Sequence, residues 1–185
     1  MISYLLAGPA LEPVTLAEAK AFLRVDDGAE DALVATLITA ARLHIEATTC
    51  KALVGQSWRV VLDGWPEEGA VRLPVSPLLS VTAVTAYDEA GGAHAIGLAQ
   101  FQTEVLPARL LLPPTVEGMP VLRQRQGLEI DYAAGYGSAA SDVPADLRQA
   151  LLVLVGAWFE HRDSASEAIP AGFDRLVAPY RRVRL

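Results

Sequence analysis

The chain of 185 residues holds a single cysteine, Cys50. That excludes an internal disulfide framework and a cysteine-built zinc site. Positive charge is also scarce: the formal net charge is −7 and the isoelectric point is near 4.9. A protein that wraps nucleic acid needs a basic balance, so this class is disfavoured. Long apolar runs are missing as well. A membrane span needs roughly 20 apolar residues, whereas the dense stretch from Ala150 to Phe159 is half that and is closed by Glu160, Arg162 and Asp163. The first residues, Met1 to Pro9, lack a basic segment and are too short in apolar content for a secretory signal. The expectation is a chain made in the cytoplasm, soluble or joined to an assembly there, with no membrane contact. No G-x-S-x-G, P-loop or H-E-x-x-H motif occurs. His44, His94 and His161 are scattered, with no pair at ligand spacing on one helix face.

What is present is hydrophobic: 52% of residues, with a mean hydropathy of +0.29. This supports a sizeable core in one domain, or one domain with an insertion. The organising stretch is Val143 to Asp163. Pro144 suits a helix start, and Asp146 places negative charge in the first turn, at the positive end of the helix dipole. Because almost every position from Ala150 to Phe159 is apolar, no face is left for water, and the expectation is a central core helix. Its structural core residues are Leu151, Leu154, Trp158 and Phe159.

Before it, Pro9 and Pro13 keep residues 1–14 extended. Thr15-Leu16-Ala17-Glu18 reads as a capping box opening a helix to about Arg24, with Leu16, Phe22 and Leu23 inward. A second helix is expected over about 30–49, its buried face marked by Leu33, Leu37, Ala41 and Ile45. After Gly55 the period changes to alternation. Strands are expected near 57–63, 71–73, 80–87, 100–105, 109–112 and 128–132, separated by turn signals such as Glu89-Ala90-Gly91-Gly92 and Pro113-Pro114. Spacings this short leave no room for crossover helices, so the sheet is expected to be antiparallel. The fold class is therefore α+β: a small helical bundle with an inserted antiparallel β subdomain and an extended C-terminal tail. The divisions are 1–55 (helical), 56–134 (β insertion), 135–163 (core helix) and 164–185 (linker and tail).

Chemical candidates are few. Gly135-Tyr136-Gly137-Ser138-Ala139-Ala140 fits G-x-G-x-x-A, yet the helix starts too late and no βαβ unit surrounds it, so a loop from strand to helix is the reading. Asp26, Asp27, Glu30 and Asp31 lack the alternating spacing of a calcium loop and read as helix-start carboxylates. Glu160 and His161 read as polar residues ending a helix. No catalytic, cofactor or metal residues are assigned. The tail from Phe173 differs: Arg175, Arg181, Arg182 and Arg184 stand against Asp174 alone, mixed with Phe173, Leu176, Val177 and Tyr180. Arginine and aromatic residues are favoured at interface hot spots. A short terminal helix packed on its own domain is the other reading of the same residues.

Taken together, the chain resembles the head–tail connector, or adaptor, family of long-tailed bacteriophages and phage-derived gene transfer agents. The resemblance rests on Pro13-Val14-Thr15-Leu16-Ala17-Glu18-Ala19-Lys20 leading into Phe22-Leu23-Arg24-Val25-Asp26, on Glu30-Asp31, and on Gln56-Ser57-Trp58. It continues through Leu73-Pro74-Val75-Ser76-Pro77-Leu78, Ala134-Gly135-Tyr136-Gly137, Phe159-Glu160-His161-Arg162-Asp163 and Leu176-Val177-Ala178-Pro179-Tyr180-Arg181. Each motif is structural and short; their order along nearly the whole chain makes the case. The resemblance implies a non-enzymatic ring, a dodecamer, below the portal. Such a ring extends the channel for double-stranded DNA, without sequence-specific binding, and offers a surface to stopper and tail-terminator proteins. In that setting Phe173, Leu176, Val177, Tyr180, Arg181, Arg182 and Arg184 are expected to anchor the portal. Two other classes stay open: a nucleic-acid-binding module using the arginine-rich tail, and an enzyme whose site forms only in three dimensions.

Overall fold

The computed structural model describes residues 1–161 and 169–181. The chain forms two compact units, one of Met1–Pro9 with Gly55–Gly135 and one of Ala10–Val54 with Tyr136–Leu185. The fold is mixed α+β, with four helices and two antiparallel sheets among the described residues.

The β unit holds β1 (Ile2–Ala7), β2 (Gln56–Leu62), β3 (Ala70–Arg72), β4 (Leu78–Tyr87), β5 (Ala93–Ala95), β6 (Gln102–Glu104), β7 (Arg109–Leu111) and β8 (Leu128–Ala134). Five strands pair in the order β1-β2-β8-β4-β5, and three in the order β3-β7-β6. β8 shows why it is central. Leu128, Ile130, Tyr132 and Ala134 alternate into the core, while Glu129 and Asp131 point to the other face. Arg59, directly opposite Asp131 on β2, binds it at 2.5 and 2.7 Å and reaches Glu129 at 2.8 Å. These carboxylates hold the Arg59 guanidinium well above its ordinary pKa. Buried Tyr132 uses its hydroxyl to accept the Val75 amide at 3.2 Å, so its one polar atom is satisfied.

Two strands escape a reading by alternation. β1 was expected to be extended within the helical part, but it pairs with β2 and belongs to the sheet. Nearly every residue of this edge strand is exposed, so it carries no period of two. β5 is three residues long and wholly exposed.

The helical unit holds α1 (Leu16–Leu23), α2 (Asp31–Thr49), α3 (Ala145–Glu160) and α4 (Ala171–Val177), the last followed by a 3-10 turn at Ala178–Tyr180. α2 packs against α3, and α4 against α3. The capping box of α1 is complete: the Thr15 hydroxyl accepts the Glu18 amide at 3.2 Å, and Glu18 accepts the Thr15 amide at 2.8 Å. Arg148 of α3 then donates to Glu18 and to the Pro13 carbonyl, tying the two helix starts together.

The buried face of α2 is Val34, Ile38, Ala41 and Ile45, one residue on from the expected Leu33 and Leu37, which are half-buried. Phe22, expected inward, is exposed; its ring edge lies over Gly156, where a Cβ would stand 3.2 Å away. On α3, Leu147, Ala150, Leu151, Leu154 and Val155 are buried, whereas Leu152, Trp158 and Phe159 pack only partly. The helix expected to be enclosed all round therefore keeps one half-exposed apolar side in the single chain.

Candidate partner-binding site

The C-terminal segment had two readings, an extended anchor and a short helix packed on its own domain. Its described part takes the second: it is α4 and the 3-10 turn, docked on α3. Phe173 and Val177, expected as partner anchors, are completely buried in the core of the helical unit. The physical reason is their spacing: at i and i+4 on one helix they share a face, and α3 and α2 offer it apolar cover. The Phe173 ring lies 5.4 Å from His44, which meets Trp158 edge-on at 5.9 Å. Leu176 and Tyr180 are partly buried at the margin of the same core.

Tyr180 fixes the end of this arrangement. Its hydroxyl donates to the Asp146 carboxylate, 2.7 and 2.9 Å from its two oxygens. Its ring stands edge-on to Tyr136 at 6.4 Å. Burial, with the Asp146 charge, pushes the Tyr180 pKa up to about 12, and burial likewise raises that of Tyr136. Arg181 points back to Asp174 at 2.5 Å. Arg175 is exposed on α4. Arg182 and Arg184 lie outside the described residues, as does most of the linker placed at Ser164 to Gly172. The sequence signal that could have placed α4 was Pro170 followed by the Phe173 and Val177 pair.

The other candidates resolve into local structure. Gly137 lies against Asp142, so close that any Cβ would overlap its carboxylate, and that carboxylate accepts the Ala139 amide at 2.9 Å. The loop thus closes on its own aspartate rather than around a phosphate. Asp31 pairs with Lys20 at 2.5 Å, and Asp27 accepts the Ala29 amide at 3.0 Å. His94 on β5 meets Asp88 at 2.8 Å across the turn from β4. His161 lies 3.0 Å from the Ala157 carbonyl, at the end of its helix. Among the described residues no three metal-capable side chains gather, and no helix is long and apolar enough to cross a membrane.

The proline-rich stretch 107–120 divides into two parts. Its first part enters β7. Its second part lines a concave groove of about 560 Å³ with Trp65, Pro66, Pro113, Pro114, Val116 and Met119 on its walls. Trp65 donates its indole N–H to the Met119 sulfur at 3.3 Å and packs on Phe101 at 5.8 Å. No spacing rule could have found this groove, because its walls are two loops that come together only where β3 pairs with β7.

Comparison with known proteins gives these surfaces a setting. A family model described as phage gp6-like head-tail connector protein matches residues 13–92. No curated protein matches. Among solved structures, a chain from the neck of an empty gene transfer agent (GTA) particle computed with C6 symmetry is 30% identical, with a TM-score of 0.84. A chain from the virion of the native gene transfer agent particle is 28% identical, with a TM-score of 0.85. A third, from the neck of the native GTA particle computed with C12 symmetry, is 27% identical at a TM-score of 0.79. Each match covers 100% of this chain and 97% of the other. With its whole length matched at 30% identity to a neck subunit, and the family model laid over α1, α2 and β2 to β4, the chain belongs to the phage gp6-like head-tail connector family.

Proposed function

We propose that this connector works as one subunit of a closed ring, a dodecamer, in the neck of a virion or gene transfer agent particle. The ring sits between the portal and the stopper or tail proteins and continues the channel for double-stranded DNA. Like its family, the protein is structural and not an enzyme. The observation that carries the reading is the full-length match to subunits of GTA necks with C6 and C12 symmetry. The charge of −7 is consistent with it, because an acidic wall does not hold a passing duplex by its phosphates.

With Phe173 and Val177 committed to the core, the proposed portal anchor narrows to the end of the chain. Partly buried Leu176 and Tyr180 supply its apolar part, and Arg181, Arg182 and Arg184 its charge. Arginines there set register and encounter with acidic groups on the portal more than raw affinity. The test is cryo-electron microscopy of purified particles with the subunit located. Twelve copies between portal and tail are expected, and particles whose necks lack the chain would refute the assignment.

A further inference from the structure

We infer that the three-stranded sheet forms the subunit-to-subunit contact of the ring, with an apolar knob at one end seating in the aromatic groove of the next copy. The inference rests on the connector reading above and names the surfaces which that reading leaves open.

The two features sit at opposite ends of β7. At its first end, Leu73 donates to the Ala108 carbonyl at 3.0 Å, and Leu78 to the Val105 carbonyl at 3.1 Å. These bonds hold the turn between β6 and β7 beside the start of β4. Three large aliphatic residues stand out there: Leu79 at 46% exposure, Val105 at 58% and Leu106 at 64%. Leu79 is the extra residue where the β4–β8 register shifts between Leu78 and Ser80. A bulge of this kind re-aims a side chain. Leu78 stays buried while Leu79 is turned out.

At the other end of β7, Leu112 donates to the Gly69 carbonyl at 2.9 Å, and the groove of Trp65, Pro113, Pro114, Val116 and Met119 opens. β7 has three residues, about 10 Å of extended chain, between them. The knob of one copy therefore cannot reach its own groove.

A convex apolar patch and a concave apolar pocket at separate places on one molecule make a heterologous, head-to-tail contact, which closes into a ring when the rotation permits. A two-fold dimer would instead need one self-complementary patch. Charge favours the same pairing. Arg72, opposite Arg109 at the knob end, has an exposed head, which comes within 3.8 Å of Glu68. Glu104 at that end faces Arg109 at 3.6 Å. Glu67 on the groove wall and Glu117 beside it carry negative charge. Opposite charges on the two surfaces assist register.

The test uses full-length protein in assembled particles. Leu106→Cys and Val116→Cys are combined in a Cys50→Ser background, and the necks are treated with a short bismaleimide. A ladder of covalent oligomers on a denaturing gel is expected, running up to the full ring, while either single-cysteine variant gives monomer. In parallel, Leu106→Glu alters only an exposed side chain. It should keep wild-type thermal unfolding and lower the yield of tailed particles tenfold or more. Necks that contain the double-cysteine subunit but give monomer only, or a normal tailed-particle yield from Leu106→Glu, overturn the interface. Wild-type necks that lack the subunit altogether overturn the connector reading, and the interface with it.

Discussion

Tyr180 closes the C-terminal segment onto the first turn of α3 by donating its hydroxyl to Asp146, 2.7 and 2.9 Å from the two carboxylate oxygens. One carboxylate thus serves the helix dipole and latches the chain 34 residues later. Removing the hydroxyl with Tyr180→Phe should cost about 1–2 kcal/mol, the range for a hydrogen bond to a charged group reduced by partial exposure. The folded Tyr180 pKa of about 12 lies above the ordinary value of 10.0. Its contribution is therefore complete below pH 10 and declines as pH rises toward 12. Thermal unfolding from pH 8 to 12 should fall more steeply for the wild type than for Tyr180→Phe. Parallel curves would show that the latch does not titrate with folding.

Phe173 gives a larger effect. A fully buried aromatic ring truncated to alanine loses about 3–5 kcal/mol. The division of the sequence into a core helix at 135–163 and a separate tail at 164–185 implies that a chain ending at Asp163 folds natively. The structure reverses that expectation: such a chain lacks both Phe173 and Val177 and leaves their cavity on α3. It should lose its cooperative thermal transition, or show one lowered by more than 10 °C. Native-like unfolding of the shortened chain would mean that α4 adds nothing to the core.

These residues also show what a sequence discloses. The α3 core, the Thr15 capping box and the central strands were legible because each writes a local signal: an apolar run from Ala150 to Phe159 behind Pro144, alternation after Gly55, and a three-residue reach from Thr15 to Glu18. β1 was not legible as a strand, because an edge strand exposed on both faces has no alternation. The burial of Phe173 and Val177 was not legible either. An apolar pair on a short terminal helix looks the same whether it meets its own core or a partner. The knob and groove flanking β7 lie further out of reach, since Trp65 and Val116 meet only through pairing across the sheet.

Thr15 should carry the start of α1. Thr15→Ala removes the acceptor for the Glu18 amide, a loss of about 1 kcal/mol for such caps. The Thr15 amide and hydroxyl, with Arg148, hold the Glu18 carboxyl below its ordinary value of 4.5. A depressed carboxyl gives stability that is present above pH 4.5 and is lost as pH falls through the lower folded value. Denaturant unfolding at pH 7 and at pH 3 should therefore separate Glu18→Gln from wild type at the higher pH and narrow the gap at the lower. An equal gap at both pH values would assign the loss to packing rather than charge.

Arg42 supplies the sharpest test of the helical unit, because its charge is almost wholly removed from water. Its side chain is 8% exposed and lies between Glu12 at 2.7 Å and Glu46 at 2.9 Å. Glu12 also accepts from Thr39, and Glu46 from the Leu53 amide, so one guanidinium organises the entry to α1 and the exit from α2. Arg42→Ala would leave two carboxylates facing each other without their cation. Breaking a buried pair this way costs about 3–5 kcal/mol. Arg42→Lys should recover only part of it, since an ammonium cannot serve two carboxylates through a fixed fork. The double change Arg42→Met with Glu46→Gln should be milder than Arg42→Ala, because it removes one of the stranded charges and keeps the volume. Urea unfolding of the three variants ranks them. If Arg42→Ala loses less than the double variant, the cost lies in lost side-chain packing and the ion cluster contributes little.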